Sequence, residues 1–275
     1  MSARRISELH QLFYLVGGKV DAVRWLFAGS LVLVATAGLT ACQSTQSKSA
    51  ELEAEGSTQL LSKDGLEIKR RNPDVKVTST AVLSGSEGSS AVVVDLHNDS
   101  DQNLTEIPIL IEVTNAKGKP FYANDIPGLE PALASVPYIP AHGDAEWVND
   151  QVLGVGKPKA VKVTVGTGGG TYSGEIPAIE VSEPKLEGDP VSGVSATGDV
   201  VNETGEDQRR LLIYVVARKG DEVVAAGRGA IEHLKPERKK LKYTVFFVGD
   251  PSGAELKLSE FPALTDAESG GGEGG

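Results

Sequence analysis

Asp199-Val200-Val201-Asn202-Glu203-Thr204, followed shortly by Leu211-Leu212-Ile213-Tyr214-Val215-Val216, reads as strand, turn and strand. An apolar run ends on an Asn with a hydroxyl residue two places on. A turn follows, then a second apolar run of strand length. The same order occurs earlier, where Asp95-Leu96-His97-Asn98-Asp99-Ser100 precedes a strand over residues 107–113. After a two-residue offset, Lys117-Gly118 answers Lys219-Gly220, and Phe121-Tyr122-Ala123 answers Val223-Val224-Ala225. Strand, Asn-centred turn, strand, Lys-Gly hairpin, strand is thus written twice, which marks an internal repeat.

Around these two stretches the apolar residues alternate. Residues 75–80, 105–113 and 160–165 have period two, as half-buried strands require, whereas residues 91–96 are apolar nearly throughout. Pro108 within one run points to an edge or a bulge. With 32 Gly and 14 Pro, turn-formers are dense, and aromatics make only 5% of the chain. Both favour many short strands around aliphatic cores. The expectation is an all-β chain of two tandem antiparallel β-sandwiches over 65–166 and 191–265. The Gly-rich residues 166–174 give a flexible boundary, within a linker and lead-in strand over 167–190, and residues 266–275 form a disordered tail.

The amino-terminal part reads differently. Arg24 precedes a run from Trp25 to Ala41 that holds no charge and ends on Leu39-Thr40-Ala41-Cys42. A basic flank, an apolar run and a small-residue site are the parts of a secretory signal. The final tetrad resembles a bacterial lipobox: branched aliphatic, small or polar, small, Cys. That resemblance implies a diacylglycerol thioether on Cys42, with 1–41 removed, and a protein held by membrane lipid on the extracytoplasmic face of the cell membrane. An uncleaved single-span anchor is the competing reading, since the run lies at the bottom of the ~17–25 residues needed to cross a bilayer. Residues 1–19 exceed an ordinary signal, which would have normal length if translation began near Val20. Residues 42–64 are polar and low in aromatics, a composition suited to a tether.

The second unit resembles an FxLYD-type Ig-like β-sandwich. It carries Val200 to Thr204 as V-x-N-x-[ST], then Leu234-Lys235-Pro236, and Asp250-Pro251-Ser252-Gly253 before its last strand. It departs at the naming motif, where Tyr214-Val215-Val216-Ala217-Arg218 stands, and Glu237 replaces the usual turn Gly. The first unit is similar more loosely and carries an insertion over 124–138. The resemblance implies an envelope interaction module without known catalytic residues.

Charge and motifs narrow the function further. The chain carries 27 basic and 38 acidic residues, a formal charge of −11. Residues 1–41 hold Arg4, Arg5, Lys19 and Arg24 against Glu8 and Asp21, so the remainder is more acidic still. A net anion gains nothing from a polyphosphate, which excludes general nucleic-acid binding. A single Cys permits no internal disulfide, and four scattered His give no metal spacing. Residues 154–158 approach a phosphate loop but lack its first Gly and its Ser or Thr; residues 166–171 and 193–197 miss the last Gly of a dinucleotide fingerprint and of a nucleophile elbow. No cofactor is implied. Asp95, Asn98, Asp99, Asp101 and Asn103 are oxygen-rich enough for calcium, yet a turn between strands needs the same residues, and the turn is the stronger reading. Lys235, Arg238, Lys239, Lys240 and Lys242 form a basic cluster, read as a solvated turn and strand face. The candidate recognition loop is the insertion, with Phe121, Tyr122, Ile126, Leu129 and Tyr138 offered on a rigid scaffold; for the nearby Trp147, filling the core is the stronger reading. An envelope protein or a wall polymer would be its partner. A non-catalytic binding or scaffold module is the expected function; a receptor or enzyme with a site built from loops is the alternative.

Overall fold

The computed structural model describes residues 65–85, 88–189, 193–236 and 239–264. The stretches expected as apolar signal, lipobox, tether and tail lie outside these residues. Within them the chain is all-β, and every pairing between its strands is antiparallel.

The first half begins with β1 (Val75–Ser84), β2 (Ser90–Asn98) and β3 (Leu104–Asn115). β4 (Pro120–Ala123), a 3-10 turn at Pro131–Leu133, β5 (Ser135–Ile139), β6 (Asp144–Asn149), β7 (Pro158–Val165) and β8 (Gly170–Thr171) follow. One sheet has the order β1-β2-β6. The other is centred on β3, with β4 and β5 along one edge and β7 and β8 along the opposite one. β3 shows the period-two pattern in full: Ile107, Ile109, Ile111 and Val113 are buried while Glu106 and Glu112 are exposed.

The second half repeats the plan with β9 (Ile179–Val181), β10 (Lys185–Asp189), β11 (Gly193–Asn202), β12 (Leu211–Lys219), β13 (Glu222–Ile231), β14 (Leu241–Phe246), β15 (Val248–Gly249) and β16 (Glu255–Pro262). β11 is flanked by β14 on one side and by β9 and β10 on the other. The edge strand breaks at Pro184, which has no N–H for the ladder. Ser182 covers the gap: its N–H donates to the Asp199 carbonyl and its hydroxyl accepts from the Asp199 N–H at 2.8 Å. The second sheet runs β15-β13-β12-β16. Its β13 pairs β12 as one strand from Lys219 to Leu211, with a single bulge at Ala217/Arg218, whereas in the first half the same role is divided between β4 and β5.

The halves are not separate beads. In β12 every residue from Leu211 to Ala217 is buried, so both of its faces are covered. Leu211, Ile213 and Val215 enter the core of the second half with Ala196, Val200, Leu234, Tyr243 and Val245. Leu212, Tyr214 and Val216 point the other way and join the core of the first half, along with Phe261 and Val248. Four sheets therefore stack, and in the two middle ones the central strands, β2 and β12, are buried on both faces while their neighbours keep exposed residues. Such strands lose alternation and become continuous apolar runs, as β2 and β12 do.

The 166–174 stretch, expected as a flexible boundary, lies along β3. Gly166 donates to the Pro108 carbonyl at 2.8 Å and Tyr172 to that of Asn103 at 3.0 Å. Gly169, at φ +71°, lies so close to the Thr105 and Glu106 carbonyls that a Cβ would fall 2.2 Å from the first. Only Gly meets both demands.

Candidate functional site

The two Asn-centred turns are built by one network. Asn98 and Asn202 are both fully buried at the ends of β2 and β11. Asn98 Nδ2 donates to the carbonyls of Gln102 at 2.8 Å and Pro140 at 2.9 Å, while its Oδ1 accepts from the Ser100 N–H and hydroxyl. Asn202 Nδ2 donates to Glu206 at 2.8 Å and Leu234 at 2.7 Å, and its Oδ1 accepts from the Thr204 N–H and hydroxyl. Each Asn thereby closes its own turn and ties it to a distant loop, the one after β5 in the first half and the one after β13 in the second. The carboxamides of the oxygen-rich stretch are directed at backbone in this way, and Asn103 also serves backbone: it accepts from Ala141 N–H and donates to the Tyr172 carbonyl. Asp95 and Asp99 bind Arg218 and Lys76, and the two His of this region bind Asp144 and Asp101 at 2.7 Å. Among the described residues no His, Cys, Asp and Glu converge as a metal group would require.

The insertion forms a plug whose exposed part is small. Asn124 is fully buried and replaces the missing ladder beside β3, accepting from Ile111 N–H at 2.7 Å and donating to the carbonyls of Ile109 and Leu133. Trp147, also fully buried, donates its indole N–H to the Ala132 carbonyl at 2.9 Å. Of the five residues offered for recognition, Phe121, Tyr122 and Tyr138 pack partly into the first core, Leu129 is half-buried, and Ile126 alone is exposed. Burial pushes the Tyr122 and Tyr138 phenols up.

Glu130 lies within the insertion and was not among the residues the sequence pointed to. Its carboxylate receives two parallel bonds from Arg228, at 2.8 and 2.7 Å, and a third from Arg210. Asp150 accepts from the Arg228 backbone N–H at 3.2 Å. At the other end of the junction Arg218 binds both oxygens of Asp95, at 2.9 and 3.0 Å, and also Glu146. Each of these pairs crosses from one half to the other. Burial pushes the Glu146 and Asp150 carboxyls up, against the pull of their arginines. Tyr214 lies between the two clusters with its ring 5.1 Å from that of Phe261 and its hydroxyl buried without a partner among the described residues. A cavity of about 290 Å³ opens nearby, lined by Glu106, Pro137, Tyr172, Arg210, Leu212 and Phe261 among others.

In the basic cluster, Lys235, Lys239, Lys240 and Lys242 are exposed, and Lys240 lies 3.9 Å from Asp199. Arg238, the residues expected as a lipobox (Leu39, Thr40, Ala41) and the expected lipidation site Cys42 lie outside the described residues. No described helix is long and apolar enough to cross a membrane. Comparison with protein-family models and with curated proteins finds no match for this chain.

Proposed function

We propose that this chain is an extracytoplasmic lipoprotein of the bacterial envelope, acting as a non-catalytic binding or scaffold module. In this reading 1–41 is the signal, Cys42 carries the lipid, residues 42–64 are the tether, and the two Ig-like units are its cargo. The observation that carries it is the lipobox at 39–42, which closes an uncharged run and is followed by polar sequence up to the start of a packed all-β body at residue 65. The buried ionic groups of that body support a scaffold role, because Glu146, Asp150, Arg218 and Arg228 join its halves to each other.

The test is the mass of the mature protein with Cys42 and with Cys42→Ala. Loss of a diacylglycerol-sized increment on substitution is the expected result; equal masses, beyond the sulfur, would remove the lipid anchor. A second reading, a receptor for a small ligand, draws on the junction cavity, which has an apolar floor and places Glu106 and Arg210 on its wall. A thermal shift of the parent by a ligand, lost in Leu212→Trp, would favour it.

A further inference from the structure

We infer that the end of the first half formed by the β3–β4 hairpin and the β6–β7 loop is a docking surface for an anionic lipid bilayer. The loop carries Leu153, 73% exposed, and Val155, 97% exposed, the two most exposed large apolar side chains described. Single exposed apolar residues are ordinary on a protein surface. Here two of them lie within three residues, on a loop whose position is fixed. Gly154 between them sits against Phe121, where a Cβ would come within 2.7 Å of the ring and the carbonyl oxygen. Val152 is fully buried at one base of the loop and Pro158 is buried at the other. The apex is thus held out into solvent, and the apolar side chains are carried on it.

The surrounding charge is of one sign. Asn115 pairs with Pro158, which brings the hairpin tip beside the loop. The tip carries Lys117 and Lys119, the loop carries Lys157, the start of β7 beside it carries Lys159, and all four are exposed. None of the four forms a salt bridge among the described residues, although the whole chain carries −11. The carboxylates on the adjoining strand ends are engaged elsewhere, Glu112 with Lys162 and Asp150 with Arg228. An apolar apex ringed by unpaired lysines matches the layered chemistry of a membrane surface. Aliphatic side chains enter the acyl boundary, while ammonium groups meet lipid phosphates and lysine stems span the zone between. A protein partner would need a far larger contact than two side chains and a hairpin tip provide.

Geometry permits the contact on the proposed tether, and this clause alone rests on the lipoprotein reading. By chain length alone, the 22 residues between Cys42 and Gly65 can span at most ~70–80 Å. Held at that range, a surface of weak intrinsic affinity is occupied much of the time.

The test uses the full chain with Cys42→Ser and a polarity-sensitive fluorophore on Val155→Cys, bound to phosphatidylcholine vesicles with or without phosphatidylglycerol. A second sample carries the label on Thr244→Cys, an exposed position on β14. Expected are a several-fold rise in emission at position 155 on the anionic vesicles, quenching there by acyl-chain nitroxides, and no change at 244. Changing Lys117, Lys119, Lys157 and Lys159 to Glu returns position 155 to its emission on neutral vesicles. If position 155 stays as wet as 244 on anionic vesicles, or responds equally to neutral ones, the proposal is overturned. A response only to added envelope protein would overturn it in favour of a protein partner. Because Cys42 is replaced in both samples, the outcome is independent of lipidation, which the mass measurement reads separately.

Discussion

Asn98 and Asn202 show what one residue contributes in each half. A carboxamide has two donors and an acceptor, and at these positions the donors meet carbonyls while the acceptor meets a hydroxyl and an N–H. Alanine would remove these bonds, each worth about 0.5–1.5 kcal/mol net, and would leave the Ser100 or Thr204 N–H without its acceptor at about 1–3 kcal/mol, while each carbonyl keeps a second donor. Asn202→Ala should lower stability by about 2–4 kcal/mol in denaturant unfolding; a loss under 0.5 kcal/mol would contradict this account of the turn. Tyr214 is the opposite case. Its hydroxyl is buried without a partner, so Tyr214→Phe should leave the protein as stable or about 1 kcal/mol more so. The junction carboxylates add a pH dependence. Burial raises the Glu146 carboxyl in the folded state, so ionising it weakens the fold, and the penalty grows as pH rises from the unfolded value through the folded one. Glu146→Gln should therefore be more stable than the parent near neutrality, with the difference in melting temperature vanishing in acid. Arg218→Leu should cost about 3 kcal/mol near neutrality, because it leaves the buried Glu146 carboxylate without a hydrogen-bonded cation, with only Lys257 at 3.8 Å beside it. If Gln lowered stability as much as Leu, pairing and not desolvation would dominate at this site.

At the scale of elements, the difference between the halves is the interruption between β4 and β5. β13 runs as one strand along β12, whereas the matching strand in the first half opens after Ala123 and resumes at Ser135. Asn124 and Trp147 close the breach with side chains, and Glu130 uses the excursion to reach Arg210 and Arg228. Trp147→Phe keeps most of the buried ring but removes the donor to Ala132. Amide exchange in 129–134 should then accelerate by more than tenfold while β2 stays protected; no local change would mean that the plug is held by packing alone. The insertion was visible in the sequence as a break in the repeat, and its Pro-rich composition suggested a recognition loop. Its inward anchoring was not visible, because nothing in the local pattern says that Asn124 faces a gap in the ladder or that Glu130 will meet arginines about 80 and 98 residues away.

Across the whole molecule, the face of β12 carrying Leu212, Tyr214 and Val216 would be bare if the halves were parted. Full burial of such side chains is worth about 1.5–3 kcal/mol each as an upper estimate, so exposing the face costs an amount comparable with the stability of an ordinary domain. Heat should therefore unfold 65–264 in one calorimetric transition, and a half expressed alone should fail to give a soluble folded product. Two resolved transitions would sink this view. The stack could in principle continue, since the interface joins unlike sheets and is heterologous. Polarity ends it. Val93, with Ala81 and Val148 across from it, lies on the covered face of β2, whereas the matching residues of the second half are Thr197, Lys185 and Thr244. On the opposite end of the stack Glu112, paired with Lys162, stands where β12 has Val216. Restoring Val at 197 and 244 and Ala at 185 should promote self-association in sedimentation, with no gain in association as the contrary outcome.

The all-β class, the repeat and the two Asn turns were legible in the residues alone, because period-two alternation and Asx chemistry are local and need no knowledge of the rest of the chain. The sequence also showed β2 and β12 as continuous apolar runs without revealing what covers their second faces. Only the tertiary structure decided that the halves share a core, that the Gly-rich boundary lies along β3, and that Glu130, Asp150, Arg218 and Arg228 join across the junction. Those contacts pair residues distant in the chain, and burial of one sheet against another is a property of the assembled layers that no single strand encodes.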